Sequence, residues 1–280
     1  MTRRVAVVTD STSCLPRKLA MLAGVSVVEL QLLVDDRFDR ETGIPVEALV
    51  TAMRARRAVA TAPPDPDAFL EAYQKAADSG VSAVVSLHIS ARQSRTCEVA
   101  REVAAKVEIP VHVVDSATTG MSLGYAALAA ARAALLSASV EQVIEAAHRR
   151  LAGSTELIYV DTLEYLYRGG RIGAAAALVG TALSVKPLLT IANGQVAPVQ
   201  RVLGADRAIG MLIAMAARRA GHRRVDIAVE HFGAAARAAE MAKTLGSRVH
   251  NLRELMVTPA SAVIGAHLGP GALGITVSPV

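Results

Sequence analysis

The run Val5-Ala6-Val7-Val8-Thr9-Asp10-Ser11-Thr12 decides the fold, because a short β-branched strand stops abruptly in a cluster of hydroxyls and one carboxylate. Open α/β sheets place helix starts and ligands where their parallel strands end. The phrase recurs twice. Residues 81–87 run into His88-Ile89-Ser90 and on to Ser94 and Thr96, and residues 111–114 run into Asp115-Ser116-Ala117-Thr118-Thr119-Gly120. Helical patterns over 66–77, 96–105 and 122–136 separate these strands, and such alternation is the signature of a parallel sheet.

The pattern changes near Gly153, after a helix around 140–151. A strand over 157–160 is followed by the Gly169-Gly170 break. Two strands, 185–191 and 195–203, flank Asn193-Gly194, a strong hairpin signal. A helix (205–219), a strand (225–230), a second helix (234–245) and strands near 253–256 and 273–277 complete the chain. The expected fold class is α/β, with an N-terminal parallel-sheet α/β domain over 1–152 and a C-terminal α+β domain over 153–280 whose sheet is largely antiparallel. A length of 280 residues also favours two domains.

Composition removes several function classes. Hydrophobic residues make up 52% of the chain, yet no unbroken apolar run approaches the roughly 18 residues of a membrane span, so no membrane insertion is expected. The N-terminus reaches Asp10 too soon for a secretory signal, and two cysteines, Cys14 and Cys97, suit reduced thiols in a cytoplasm. The net charge of +5 is spread over scattered arginines, and aromatics are only 3%, which argues against nucleic acid as a partner. Abundant Ala, Leu, Val and Ile suit an aliphatic cavity.

Each hydroxyl cluster alone reads as a helix cap. Taken together, Thr9, Asp10, Ser11, Thr61, Ser94, Thr96, Asp115 and Ser116 fall where one parallel sheet would present its strand ends, and they suggest an anion held by neutral donors. No catalytic nucleophile, phosphate-cradling loop, cofactor motif or metal-ligand spacing appears. His267, in Gly265-Ala266-His267-Leu268-Gly269-Pro270-Gly271, reads as a loop histidine open to either a functional or a structural role. The Arg168-Gly169-Gly170-Arg171 turn reads as a solvated basic turn or a docking point for phosphate or an acidic partner. An enzyme acting on a small phosphorylated or carboxylated metabolite, with Asp10 or Asp115 as base and Arg171 as anion clamp, is the competing reading.

Thr9-Asp10-Ser11-Thr12, Thr61-Ala62-Pro63-Pro64, Ser94-Arg95-Thr96, Asp115-Ser116, Thr162-Leu163-Glu164-Tyr165-Leu166-Tyr167-Arg168-Gly169-Gly170-Arg171-Ile172, Lys186-Pro187-Leu188-Leu189 and His267-Leu268-Gly269-Pro270-Gly271 resemble, in order and over the whole chain, the DegV family. The resemblance implies a long-chain fatty acid held between two domains by a non-catalytic binding subunit. That subunit presents the carboxylate to a separate ATP-binding kinase subunit that makes acyl phosphate, and a lipid sensor without such a partner is a variant of the same reading. By position, Thr61, Ser94 and His267 match the carboxylate-binding residues, with Thr9, Asp10, Ser11, Thr96, Asp115, Ser116 and Gly269 as supporting residues. Arg168, Arg171 and Arg201 are the expected partner-docking residues. The chain departs from the family phrases at Pro63, at Arg95, where glycine is common, and at Leu203, where a basic residue is common.

Overall fold

The computed structural model describes residues 5–178 and 184–280. The three strand-plus-hydroxyl phrases form β1 (Val5–Asp10), β6 (Ala83–His88) and β7 (Val111–Asp115), which join β2 (Val25–Val28) in a four-stranded parallel sheet of order β2-β1-β6-β7. Alternation along β1 sends Val5 and Val7 to one face and Val8 to the other. The first face packs on α5 (Gly120–Leu135) and α6 (Val140–Gly153) through Leu123, Ala127 and Val143. The second packs on α3 (Pro66–Asp78) and α4 (Thr96–Ala104) through Phe69, Tyr73 and Val103. With both faces covered, β6 is buried at every position and reads as a continuous apolar run with two polar residues inside it.

A second, small sheet is absent from the sequence reading: β3 (Gln31–Val34), β4 (Arg37–Arg40) and β5 (Val59–Ala62) pair antiparallel in the order β4-β3-β5. Each strand has four residues, and β4 carries a single apolar side chain, Phe38, so no periodicity marks them. Thr61 therefore lies on β5 opposite Leu32 of β3, and the expectation that it sits at the parallel sheet's strand ends is corrected.

The third sheet has six strands in the order β10-β9-β8-β13-β11-β12. These are β8 (Thr155–Tyr159), β9 (Val185–Ala192), β10 (Gln195–Leu203), β11 (Val225–His231), β12 (Leu252–Pro259) and β13 (Leu273–Pro279). All neighbours are antiparallel except β11 and β12, which are parallel. Asn193 and Gly194 both take positive φ (49° and 78°), as a two-residue hairpin turn of this hand requires. One face of the sheet packs on α8 (Ala205–Ala220) and α9 (Ala235–Arg248). The other directs Ile158 and Leu189 toward Leu30, Leu32 and Leu49 of the N-terminal half, and the candidate site forms along that seam.

Elsewhere on the seam, the start of α5 is capped by side chains of the large sheet. The Met121 N–H donates to Glu230 (3.0 Å) and the Ser122 N–H to Glu156 (2.8 Å), which supplies acceptors to the unpaired amides of a helix start. The Thr276 hydroxyl stands 2.6 Å from Glu156 and 2.9 Å from Glu230. One hydroxyl proton serves one carboxyl only, so the other carboxyl must carry a proton and donate to Thr276. Burial, then the charge of Glu156, pushes Glu230 up to about 8 from 4.5, and burial also raises Glu156. A carboxyl with a raised folded pKa keeps its proton in the fold and sheds it on unfolding, so this contribution is full below pH ~4.5 and is lost as pH rises toward 8. Glu230→Gln supplies a permanent donor to Thr276. In urea titrations the wild type is expected to lose stability from pH 5 to pH 8 and the variant to lose less; parallel pH profiles would contradict the shared proton.

Candidate functional site

A cavity of about 280 Å³ opens between β5, the loop after β6, α10 (Ala262–Leu268) and the inner face of the large sheet. Its walls are mainly aliphatic and include Leu30, Ile158, Leu166, Ile191, Val196 and Val263. Thr61, Gln93, Ser94, Arg171 and His267 supply polar groups, and no Asp or Glu lines it. The volume is close to the lower end of the ~300–1,000 Å³ usual for small-molecule sites.

The polar groups are linked to one another. Thr61 Oγ1 and His267 Nε2 lie 2.9 Å apart across 206 residues of sequence. His267 belongs to the last turn of α10 and not to a loop: Ser261 caps that helix, and only Gly269 and the residues after it leave it. Its ring occupies the space above Gly169, where a Cβ would stand 2.1 Å from Nδ1. The glycine of the Arg168-Gly169-Gly170-Arg171 turn thus makes room for the histidine. Gly269 has a comparable constraint, with φ of +88° and a virtual Cβ 2.2 Å from the Tyr165 ring.

Burial, and secondarily the nearby Arg171 guanidinium, depress His267 to about 4, so the imidazole is neutral near pH 7. Its Nδ1 is buried without a partner. An orphaned N–H donor is costlier than an orphaned lone pair, which favours the tautomer with the proton on Nε2. That proton is donated to Thr61 Oγ1 and leaves the Thr61 hydroxyl hydrogen available to a ligand.

Ser94 Oγ lies 2.8 Å from Thr96 Oγ1 and accepts a long bond (3.3 Å) from the Thr96 N–H, so it supports the start of α4 and lines the cavity as well. Arg171 ties the two segments together, since Nε donates to the Gln93 carbonyl (3.0 Å) and Nη1 to the Gly169 carbonyl (2.8 Å). The same loop reaches the large sheet's hairpin, with Arg92 donating to the Asn193 carbonyl (3.0 Å) and Gln93 to that of Gly194 (3.1 Å). Of the three departures from the family phrases, Pro63 and Arg95 line the cavity and Leu203 does not, and Arg95 is neutralised by Glu98 at 2.6 Å and extends into solvent.

Seven expected supporting residues lie outside the cavity wall. Asp10 is fully buried and its carboxylate accepts from the Thr12 N–H (3.0 Å), Thr12 Oγ1 (2.5 Å) and the Ile89 N–H (2.9 Å). Thr9 and Thr96 are fully buried beside it, and Ser11 accepts from the Leu30 N–H. Asp115 accepts from the Ala91 and Ala117 N–H groups, Ser116 donates to the Thr118 carbonyl, and Gly269 serves the packing described above. Apart from Thr9, whose Oγ1 is buried without a partner among the described residues, and Thr96, whose Oγ1 meets Ser94, these polar groups close turns. The sequence reading missed Gln93 and Thr119 as wall residues and the whole aliphatic lining, because no local pattern distinguishes a cavity wall from a core.

Ser86, His88 and Asp10 form a chain of 2.7 and 3.0 Å contacts that matches the order of a hydrolase triad, and Tyr73 adds a hydroxyl 2.9 Å from Ser86. All four side chains are sealed in the core between β1, β6 and α3. A nucleophile there meets no substrate, and the chain is a satisfied buried network. The two thiols are equally shielded: burial pushes Cys97 up to about 12 and Cys14 well above its ordinary value. Asp10 and Asp115, the bases of the competing enzyme reading, do not face the cavity.

Of the expected docking residues, Arg168 lies on α7 (Glu164–Arg168) and pairs with Glu164 at 2.8 Å, Arg171 is half-buried, and Arg201 is exposed on the edge strand β10. No helix among the described residues is long and apolar enough to cross a membrane.

A parallel sheet flanked by helices, a small antiparallel sheet and a mostly antiparallel six-stranded sheet enclose an aliphatic cavity whose polar wall carries the Thr61–His267 pair and Arg171, and this defines the class of α/β fold. The sequence profile of the DegV family of uncharacterised proteins matches residues 4–280, and the chain belongs to that family. A DegV domain-containing protein of Streptomyces coelicolor is 46% identical over 279 residues, 99% of each chain. One from Mycobacterium tuberculosis is 36% identical over 98% of this chain and 96% of its own. Among solved structures, a DegV family protein from Thermus thermophilus described by its fatty acid binding is 31% identical, with a TM-score of 0.89 over 99% of this chain and 100% of that one. DegV from Bacillus subtilis, a fatty acid binding protein, is 27% identical with a TM-score of 0.89 over 99% and 100%.

Proposed function

We propose that this chain binds one long-chain fatty acid, its tail in the aliphatic cavity and its carboxylate on Thr61 and Ser94, with His267 holding Thr61 as a donor toward it. The observation that carries the reading is a cavity lined by aliphatic side chains, neutral donors and two arginines, Arg171 and the Glu98-paired Arg95, with no acidic group in its wall. A carboxylate there meets hydrogen-bond donors without like-charge repulsion, and a polymethylene tail loses contact with water. Fatty acid binding by the Thermus and Bacillus relatives supports the assignment. We take the two binding units as residues 1–152 and 153–280, working in the cytoplasm, where Cys14 and Cys97 stay free thiols.

The chain acts as the carrier subunit of a fatty acid kinase. In the transfer, a carboxylate oxygen of the bound acid attacks the γ-phosphorus of ATP, the acyl–oxygen–phosphorus linkage forms, and the bond to the departing ADP breaks. ATP is held by the partner subunit, which docks near Arg168, Arg171 and Arg201.

Denaturing the purified protein and analysing the extract by mass spectrometry is expected to release about one fatty acid per chain. Alone with ATP and magnesium the loaded chain is expected to consume no ATP, and addition of an ATP-binding partner starts turnover. Lipid-free extracts from repeated preparations, together with no uptake of added fatty acid, would rule out the reading.

A further inference from the structure

Beyond the polar wall of the fatty acid cavity lies a second cavity of about 400 Å³. The two share Thr61, Arg171 and His267, so those three residues form a partition with an aliphatic chamber on one side and a polar groove on the other. Arg56, Arg57 and Arg168 join Arg171 in lining the groove. Their charges are unequally compensated. Arg57 pairs with Asp35 and Arg168 with Glu164, whereas among the described residues Arg171 bonds to the carbonyls of Gln93 and Gly169 and to no carboxylate. Arg56 is exposed and has no carboxylate among its described contacts. Among the described residues, two guanidiniums in the groove are thus free of a carboxylate.

From this juxtaposition we infer that the groove is a phosphoryl subsite, which holds the phosphoryl group of an acyl phosphate while its acyl chain remains in the aliphatic chamber. The inference rests on the fatty acid reading of the neighbouring cavity. A carboxylate held by Thr61, which His267 orients, and by Ser94 has its free oxygen at the partition, and a group attached to that oxygen projects away from the tail, into the groove. An acyl phosphate carries close to two negative charges near neutral pH, which match the two uncompensated guanidiniums. Neutral His267 forms no competing ion pair at the partition. Arg56 has a backbone peculiarity that suits a test: its φ is +56°, a conformation that glycine adopts without strain.

The experiment uses the full chain stripped of lipid and three probes: palmitate, a β-ketophosphonate of the same acyl length with CH2 in place of the bridging oxygen, and inorganic phosphate. Arg56→Gln and Arg56→Gly are expected to weaken phosphonate binding roughly tenfold while leaving palmitate unchanged, because one exposed charge-assisted contact to the dianion is lost. Raising the salt concentration is expected to narrow that difference. Unchanged phosphonate affinity in both variants overturns the subsite, as does an equal loss for phosphonate and palmitate. Inorganic phosphate binding that depends on Arg56, with no advantage of phosphonate over palmitate in the wild type, overturns the link between groove and acyl chain. Failure of the wild type to bind palmitate sinks the fatty acid reading itself, which separates the two failures.

Discussion

Ser94→Ala is expected to reduce fatty acid affinity roughly 10- to 150-fold, the range that follows from losing a hydrogen bond of ~1.5–3 kcal/mol to a charged group. Thr61→Val preserves the shape of the side chain and is expected to act similarly. Their combined effect should fall short of the sum, since both hydroxyls serve one carboxylate and the surviving donor or a water molecule rearranges around it. His267 enters through Thr61. A neutral imidazole that donates from Nε2 fixes Thr61 as a donor toward the cavity, so His267→Ala leaves the threonine hydroxyl free to turn away. Ligand titration paired with melting temperature distinguishes binding from capping. Ser94 accepts only a long bond from the Thr96 N–H, so a capping role alone predicts a stability loss of about 1 kcal/mol and unchanged affinity.

The parallel sheet was legible because β1, β6 and β7 each repeat one local phrase, an apolar run closed by hydroxyls. The β9–β10 hairpin was legible because Asn193-Gly194 answers a demand for two positive φ values. The small sheet was not. Its strands are short and gain their stability from Leu32 and Leu49 packing across the seam on Ile158 and Leu189, contacts that no window of sequence contains. His267 was misplaced for a related reason: glycines on both sides of it suggest a loop, yet Gly265 is helical, and a Cβ there would strike the Phe232 ring at 2.2 Å. Glycine at that position marks close packing and not a break.

The same limit separates the two sets of candidate hydroxyls. Thr61 and Ser94 owe their place in the wall to segments brought together by Arg171 and by Thr61–His267, a contact spanning most of the chain. Asp10 and Asp115 share the composition of those candidates, yet their carboxylates are occupied by nearby backbone N–H groups. A polar residue after a strand is available to a ligand only when the turn leaves it unspent, and this follows from the hydrogen bonds rather than from residue type.

Asp226→Ala is expected to cost roughly 3–5 kcal/mol of folding stability, a large share of the ~5–15 kcal/mol that holds a typical domain. Asp226 lies on β11 with no exposure, and both Arg150 and Arg253 donate to its carboxylate, Arg253 Nε at 2.6 Å. Arg150 comes from α6, is 9% exposed, also donates to the Pro279 carbonyl, and lies 5.2 Å over the Tyr125 ring. The carboxylate therefore fastens the last helix of the N-terminal half to the large sheet. Its removal leaves one nearly buried guanidinium unpaired beside another of like charge. Arg253, at 31% exposure, can turn to water, but Arg150 cannot. Asp226→Leu combined with Arg150→Leu is accordingly expected to recover part of the loss, because replacing both partners of a buried pair by apolar groups avoids the stranded charge. Urea denaturation of the three proteins measures this directly, and a loss below about 1 kcal/mol in Asp226→Ala would mean that solvent already screens the pair. Neither residue lines the cavity, so fatty acid affinity of the folded fraction should stay at the wild-type value, in contrast to Ser94→Ala, which lowers affinity far more than it lowers stability.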